Sequence, residues 1–246
     1  MNIIKHIPNT ITSMNLFCGL MGVIFTFKGQ LDIAFYLMLA AAACDFCDGF
    51  AARLLGAYSD LGKELDSLAD MVSFGALPAL MAHRLMVLNG TDGIWCYIPL
   101  LVAVFSALRL AKFNIDERQS DSFIGLPTPA CAMICGSFAY YVFKDPSSVM
   151  CGWAASRFFI PAASLVLSLL LVSEIPMFSM KFKKNIKPGT PIHKQRIGFI
   201  GVIFVATVLT ILLGLNWSMI ILLTFVSYIV MNIGIMLMPR AKKGTM

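Results

Sequence analysis

The sequence predicts an all-α polytopic membrane protein with about eight transmembrane helices, and three observations lead there. Of its 246 residues 59% are hydrophobic and only 13% are charged, with a mean hydropathy of +0.82. Soluble domains carry roughly 25% charged residues, so this chain lacks the polar surface that a water-soluble fold of its size requires. Its apolar residues gather into runs of about the 20 residues needed to cross a bilayer as a helix. Those runs are too long for the helices of one large soluble core. The alternating pattern of barrel strands is missing from the sequence, and backbone inside a bilayer must satisfy its own hydrogen bonds, which leaves helices. The same arithmetic excludes disorder, a collagen-like chain and a small disulfide scaffold.

The runs are 11–27, 33–52, 65–88, 94–112, 125–143, 154–175, 197–214 and 217–238. The first follows Lys5 and ends at Phe27-Lys28 without a small-x-small cleavage site, so it reads as a retained helix and not a signal peptide. Cys18 lacks the small residue expected before a lipidated cysteine, and Ile3-Ile4-Lys5-His6-Ile7 before Pro8 suits the interface plane. A short glycine-containing connection joins the second and third runs. Gly75 and Pro78 predict a kink in the third. The fourth ends with Arg109 and Lys112, one turn apart, which can anchor the span at a membrane boundary. The fifth opens with Pro127 and Pro129, tolerated in a first turn, where amides lack intrahelical partners. The sixth closes near Glu174, expected to snorkel or to pair with a nearby lysine. The seventh and eighth follow a loop, 181–196, that carries six Lys and Arg residues. That loop is expected to set topology and to attract anionic headgroups. Little remains outside the runs, so 1–246 is expected to be a single membrane-embedded domain.

Orientation follows from the basic residues. With the N-terminus cytoplasmic, Lys5, Arg53, Lys63, Arg109, Lys112, Arg118, Lys181, Lys183, Lys184, Lys187, Lys194, Arg196, Arg240, Lys242 and Lys243 fall on the cytoplasmic side. Only Lys28, Arg84, Lys144 and Arg157 fall opposite. This positive-inside asymmetry puts both termini in the cytoplasm. The formal charge of +6 therefore reports topology and an anionic leaflet, not a nucleic-acid partner. Among the seven cysteines, Cys44-x-x-Cys47 has the spacing of half a zinc or redox site, but nothing completes it. Cys131 and Cys135 lie one turn apart in an apolar run, and all seven read as packing residues.

The informative residues are acidic. Asp45, Asp48, Asp66 and Asp70 sit at the cytoplasmic ends of the second and third runs. Carboxylates in or beside a bilayer are costly, so an intramembrane acid points to function by default. At about 100° per residue, Asp45 and Asp48 project within ~60° of each other, and Asp66 and Asp70 within ~40°. Gly49, Gly56 and Gly62 in the connection permit a sharp turn or close approach, and a short turn makes the two helices antiparallel. Two facing carboxylate pairs then enclose a strongly negative volume, which cations resolve. All-oxygen ligation favours Mg²⁺, Mn²⁺ or Ca²⁺ over zinc. Salt bridges to Arg53 and Lys63 are the structural alternative, and an ion site in a divalent-cation transporter is the functional one. Spacing alone leaves a divalent-metal site at the cytoplasmic face.

The pattern Asp45-x-x-Asp48-Gly49-x-x-Ala52-Arg53, eight residues, then Gly62-x-x-x-Asp66-x-x-x-Asp70 resembles the CDP-alcohol phosphotransferase signature at all eight specified positions. The resemblance implies a six-helix catalytic core, here about 1–176, with two further helices at about 197–238. It implies a homodimer with its active site at the cytoplasmic boundary of a prokaryotic plasma membrane. Asp45, Asp48, Asp66 and Asp70 are the implied ligands of two divalent ions, Mg²⁺ or Mn²⁺, and Asp70 is also the implied general base. Gly49, Ala52, Arg53 and Gly62 match the CDP site, where small residues let the nucleotide approach. The chemistry is coherent: metal can clamp a pyrophosphate, Arg53 can add bidentate phosphate contacts, and a carboxylate can take the acceptor hydroxyl's proton.

Three further segments resemble the integral-membrane phosphatidylserine synthases within that family. They are Pro8-Asn9 through Asn15-Leu16-Phe17-Cys18-Gly19, Val72 through Ala79, and Arg109-Leu110-Ala111-Lys112-Phe113-Asn114 followed by Phe123 through Ala130. Together they imply CDP-diacylglycerol as donor and L-serine as acceptor. Arg109, Asn114 and Thr128 are the candidates for contacting serine or the lipid phosphate. Glycerol 3-phosphate or an inositol phosphate stands as the alternative acceptor, with Arg109, Lys112 and Arg118 as added positive charge.

Overall fold

The computed structural model describes residues 6–116, 123–178 and 191–237. Lys5, Arg118, the 181–187 lysines and the basic C-terminal tail lie outside the described residues, as do the side chains of Lys194 and Arg196. All eight expected runs are helical. Helix α1 (Ile7–Phe27) carries Pro8 in its first turn, where a missing N–H costs nothing. Gly29, at φ +77°, turns the chain into α2 (Leu31–Leu55), so α1 and α2 form an antiparallel hairpin. Gly56 ends α2 in the left-handed conformation, its N–H bonded to the Ala52 carbonyl. Ser59 then caps α3 (Asp60–Asp70) by accepting the Gly62 N–H at 3.0 Å.

The third span runs unbroken from Asp60 to Leu88 but is not a simple kinked α-helix. Between α3 and α4 (Leu77–Leu88) lies a π-helical turn, Met71–Ala76. Pro78 has no N–H for the carbonyl four residues back and its ring would crowd that group; a widened turn accommodates both problems. α1 packs close here, because a Cβ on Gly22 would stand 2.6 Å from the Leu77 side chain and one on Gly19 3.0 Å from Ser73 Cα.

A 3-10 helix, Ile94–Leu100, leads into α5 (Leu101–Ile115). After strand β1 (Phe123–Ile124), α6 (Thr128–Lys144) runs through the centre of the bundle with nearly every residue buried. The sixth expected span, 154–175, is broken: α7 (Val149–Ala155) and α8 (Phe159–Val172) meet at 85°. Strand β2 (Pro176–Met177) pairs antiparallel with β1, and α9 (Pro191–Leu212) and α10 (Ser218–Leu237) follow.

Five helical units among the described residues are long and apolar enough to cross a membrane, and the bent α7–α8 pair makes up to six. The count falls below the expected eight because of length. α6 has 17 residues, and the apolar part of α9 is confined to Ile197–Leu212. The exterior is apolar, with Phe17, Ile24, Leu108, Leu169, Phe204 and Val230 all exposed, as a surface facing lipid tails requires. All seven cysteines are free.

Candidate active site

Asp45 and Asp48 lie on one face of the C-terminal half of α2, and Asp66 and Asp70 on one face of α3. The tight Gly56–Ser59 connection folds the faces together. One ligand oxygen each from Asp45, Asp48 and Asp66 fall within 4.8 Å of one another, close enough to share a cation. Asp48 Oδ2 and Asp66 Oδ1 are sealed from solvent and have no hydrogen-bond partner. Leaving such acceptors unmade is expensive, and a hard divalent cation is the partner that their chemistry suits.

The nearby bases do not discharge this cluster. Arg53 Nε donates to the Gly49 carbonyl on its own helix at 2.9 Å, and Lys63 Nζ to the Asn114 carbonyl at 3.0 Å. The salt-bridge alternative is therefore not realised. Gly49 is open, with no atom within 4 Å of where a Cβ would stand. Gly49, Ala52 and the exposed Arg53 thus present a bare end of α2 beside the trio. Gly62 differs: a Cβ there would stand 2.9 Å from Asn9 Oδ1 and 3.1 Å from Ser59 Oγ, so its smallness serves helix packing as well.

Asp70 stands outside the trio. It lies one helical turn beyond Asp66, roughly 6 Å along the axis, and is buried. Its Oδ1 accepts from Asn15 Nδ2 at 3.4 Å, and Ser73 Oγ in the π turn donates to the Asn15 carbonyl at 3.1 Å. The buried Arg109 donates from Nη1 to Thr128 Oγ1 at 2.9 Å, while its Nε has no partner. Its guanidinium lies 5.7 Å from the Phe113 ring centroid and within electrostatic range of Asp70.

Of the three acceptor candidates, the structure joins Arg109 and Thr128 but not Asn114, whose Nδ2 donates to Ser67 Oγ at 3.0 Å. Lys112 approaches Glu174 at 3.9 Å, the pairing expected for that acid. Asn15 was not singled out for any role from the sequence. The signal was present nonetheless: Asn9, Thr12 and Asn15 recur every three residues at the start of a long apolar run, and Thr12 and Asn15 are buried while the neighbouring Thr10 and Ser13 are exposed. Polar residues on one face of a span call for partners.

Helices that bring three carboxylates together, with a fourth one turn deeper, form a membrane-embedded acidic cluster whose oxygens could hold a hard cation. Residues 5–172 match the family model described as CDP-alcohol phosphatidyltransferase, and the chain belongs to that family. A CDP-diacylglycerol–serine O-phosphatidyltransferase of Bacillus subtilis (strain 168) is 34% identical over 190 residues, covering 75% of this chain and 98% of the relative. One from Mycobacterium leprae (strain TN) is 34% identical over 236 residues, covering 92% and 74%. An archaetidylserine synthase of Methanothermobacter thermautotrophicus is 33% identical over 134 residues, covering 54% and 57%.

Proposed function

We propose that this chain transfers the phosphatidyl group of CDP-diacylglycerol to the hydroxyl of L-serine, giving phosphatidylserine and CMP. The observation that carries the reading is the unneutralised trio of Asp45, Asp48 and Asp66, with sealed, unpartnered oxygens on Asp48 and Asp66 and Asp70 set apart within electrostatic range of Arg109. Relatives named for this reaction, at 34% identity over most of the chain, support serine as the acceptor.

Asp45, Asp48 and Asp66 would hold the divalent ions, Mg²⁺ or Mn²⁺ and two in number. When bound, the metal supplies charge stabilisation for the pyrophosphate and the departing CMP. Gly49 and Ala52 leave room for the cytidine nucleotide, with Gly62 beside them, and Arg53 gives up its bond to the Gly49 carbonyl to reach a phosphate. Asn15 holds the Asp70 carboxylate by one oxygen, leaving the other to receive the serine hydroxyl proton. The serine oxygen then attacks the lipid-side phosphorus in line. A new O–P bond forms as the bond to CMP breaks, without a covalent enzyme intermediate. Arg109 would bind serine's carboxylate, a role supported by its buried Nε having no partner.

A phosphorylated acceptor is not favoured, since Lys112 approaches Glu174 at 3.9 Å and relatives over most of the chain are named for serine transfer. All four acids lie on two helices at one pole, which disfavours a transport path. The protein works as a homodimer in a prokaryotic plasma membrane, active site inward. Supporting that orientation, Lys28 and Lys144 lie at the pole of Asp32, opposite Arg53 and Lys63. Labelling of the 181–196 lysines from outside intact cells would overturn it.

The test is CMP release by purified protein with CDP-diacylglycerol and divalent metal, offering serine, glycerol 3-phosphate and inositol phosphate separately. Serine-dependent release abolished by chelator is expected. Release with another alcohol only would discard serine, and release with none would discard the transferase.

A further inference from the structure

The family match ends at Val172, yet the last helix reaches back toward the acceptor side of the site. Phe178, outside any helix, donates its N–H to Asn232 Oδ1 at 2.9 Å, and its carbonyl accepts the Tyr228 hydroxyl at 3.0 Å. Asn232 is held in turn by donating Nδ2 to the Tyr228 carbonyl at 2.7 Å. Both side chains are buried. A buried asparagine on a membrane helix is costly unless fully partnered, and here α10 commits two polar side chains to both main-chain groups of one residue.

That residue lies in a segment, 173–178, that pairs with the chain entering α6. Met177 pairs with Phe123 and Pro176 with Ile124. Gly125 N–H bonds the Ile175 carbonyl and Leu126 N–H the Leu170 carbonyl, both at 2.9 Å. Gly125 sits at φ +77°, and a Cβ there would stand 2.6 Å from the Leu171 carbonyl, so the chain passes too close for any side chain. Two residues further on, Pro127 caps α6, and Thr128 is the hydroxyl that receives Arg109. Tyr228 lies within electrostatic range of the Arg109 guanidinium.

We infer that Tyr228 and Asn232 are positioning residues for the acceptor alcohol: they fix the 173–178 strap, the strap fixes Gly125–Thr128, and Thr128 aims Arg109. The inference rests on the serine-transfer reading and adds that α10, outside the family match, tunes acceptor binding.

The experiment compares full-length wild type with Asn232→Ala and Tyr228→Phe. It measures KM for serine, KM for CDP-diacylglycerol, the metal activation constant, and amide hydrogen exchange at Gly125 and Leu126. Each variant should raise the serine KM by about threefold to tenfold, the factor that one lost hydrogen bond implies. The other two constants should hold, and the Gly125 and Leu126 amides should exchange faster while those of α2 and α3 do not. An unchanged serine KM, or three constants moving together, overturns the inference. Should Asn232→Ala fail to fold, Tyr228→Phe, which deletes a single hydroxyl, decides by the same criteria. If wild type releases CMP with another alcohol and not serine, the function reading fails, and the same split of constants is read on that alcohol.

Discussion

At the N-terminal end of α2, Asp32 accepts the Ile33 N–H at 2.9 Å and Lys144 Nζ at 2.7 Å. It occupies the first turn, where the helix dipole favours an anion. Some 20 Å further along the same helix, Asp45 and Asp48 face Asp66, and buried oxygens are left without a donor. The difference is one of supply. Lys144 is placed to meet Asp32, whereas Arg53 and Lys63, near in sequence to the trio, spend their donors on main-chain carbonyls. A carboxylate with its own base serves the scaffold, while carboxylates with sealed oxygens and no base fit the proposed metal site.

Four substitutions test that contrast. Asp70→Asn keeps the shape but removes the proton acceptor, so kcat should fall by about 10²–10⁴-fold with CDP-diacylglycerol binding retained; wild-type turnover would remove Asp70 from that role. Asp48→Ala takes away a proposed metal ligand and should weaken metal activation by at least about 100-fold, since even outer partners of a ligand cost up to that much. The metal-free protein should be no less stable, because like charges are relieved. A large loss of metal-free stability would make Asp48 a scaffold residue like Asp32. Arg109→Lys should raise the serine KM by roughly tenfold, because an ammonium cannot hold Thr128 and a carboxylate in the guanidinium's fixed geometry. Equal changes for both substrates would place Arg109 outside the acceptor site. Asp32→Asn should leave all kinetic constants unchanged and lower the thermal midpoint only slightly, as a pair reached by solvent contributes little. An activity loss there would erase the distinction between the two ends of α2.

The sequence was most informative where the physics is local. Helical period alone put Asp45 with Asp48 and Asp66 with Asp70 on shared faces, and the glycines between them announced a short antiparallel connection. Length and apolarity located the spans, but not their interruptions. The 85° break between α7 and α8 occurs at Ser156–Phe158, where Pro161 has no N–H for the Arg157 carbonyl and so favours a new helix start, a local signal that the apolar length of the run hides. The π turn was visible only as Gly75 and Pro78, which equally predict a simple kink.

What tertiary structure decided lies in pairs distant along the chain. Asn15 meets Asp70 across 55 positions, Asn232 meets Phe178 across 54, and Arg109 meets Thr128 across a segment that includes a strand pairing. No periodicity encodes such meetings, because each depends on how whole helices pack. The sequence by itself determined that this is a helical membrane protein with four acids in two stripes. Packing decided that three of them meet while the fourth, one turn deeper, meets an asparagine from α1, and that the last helix steadies the acceptor side. The reason is physical: the direction of a side chain around its own helix follows from local geometry, while the partner it finds there follows from the bundle.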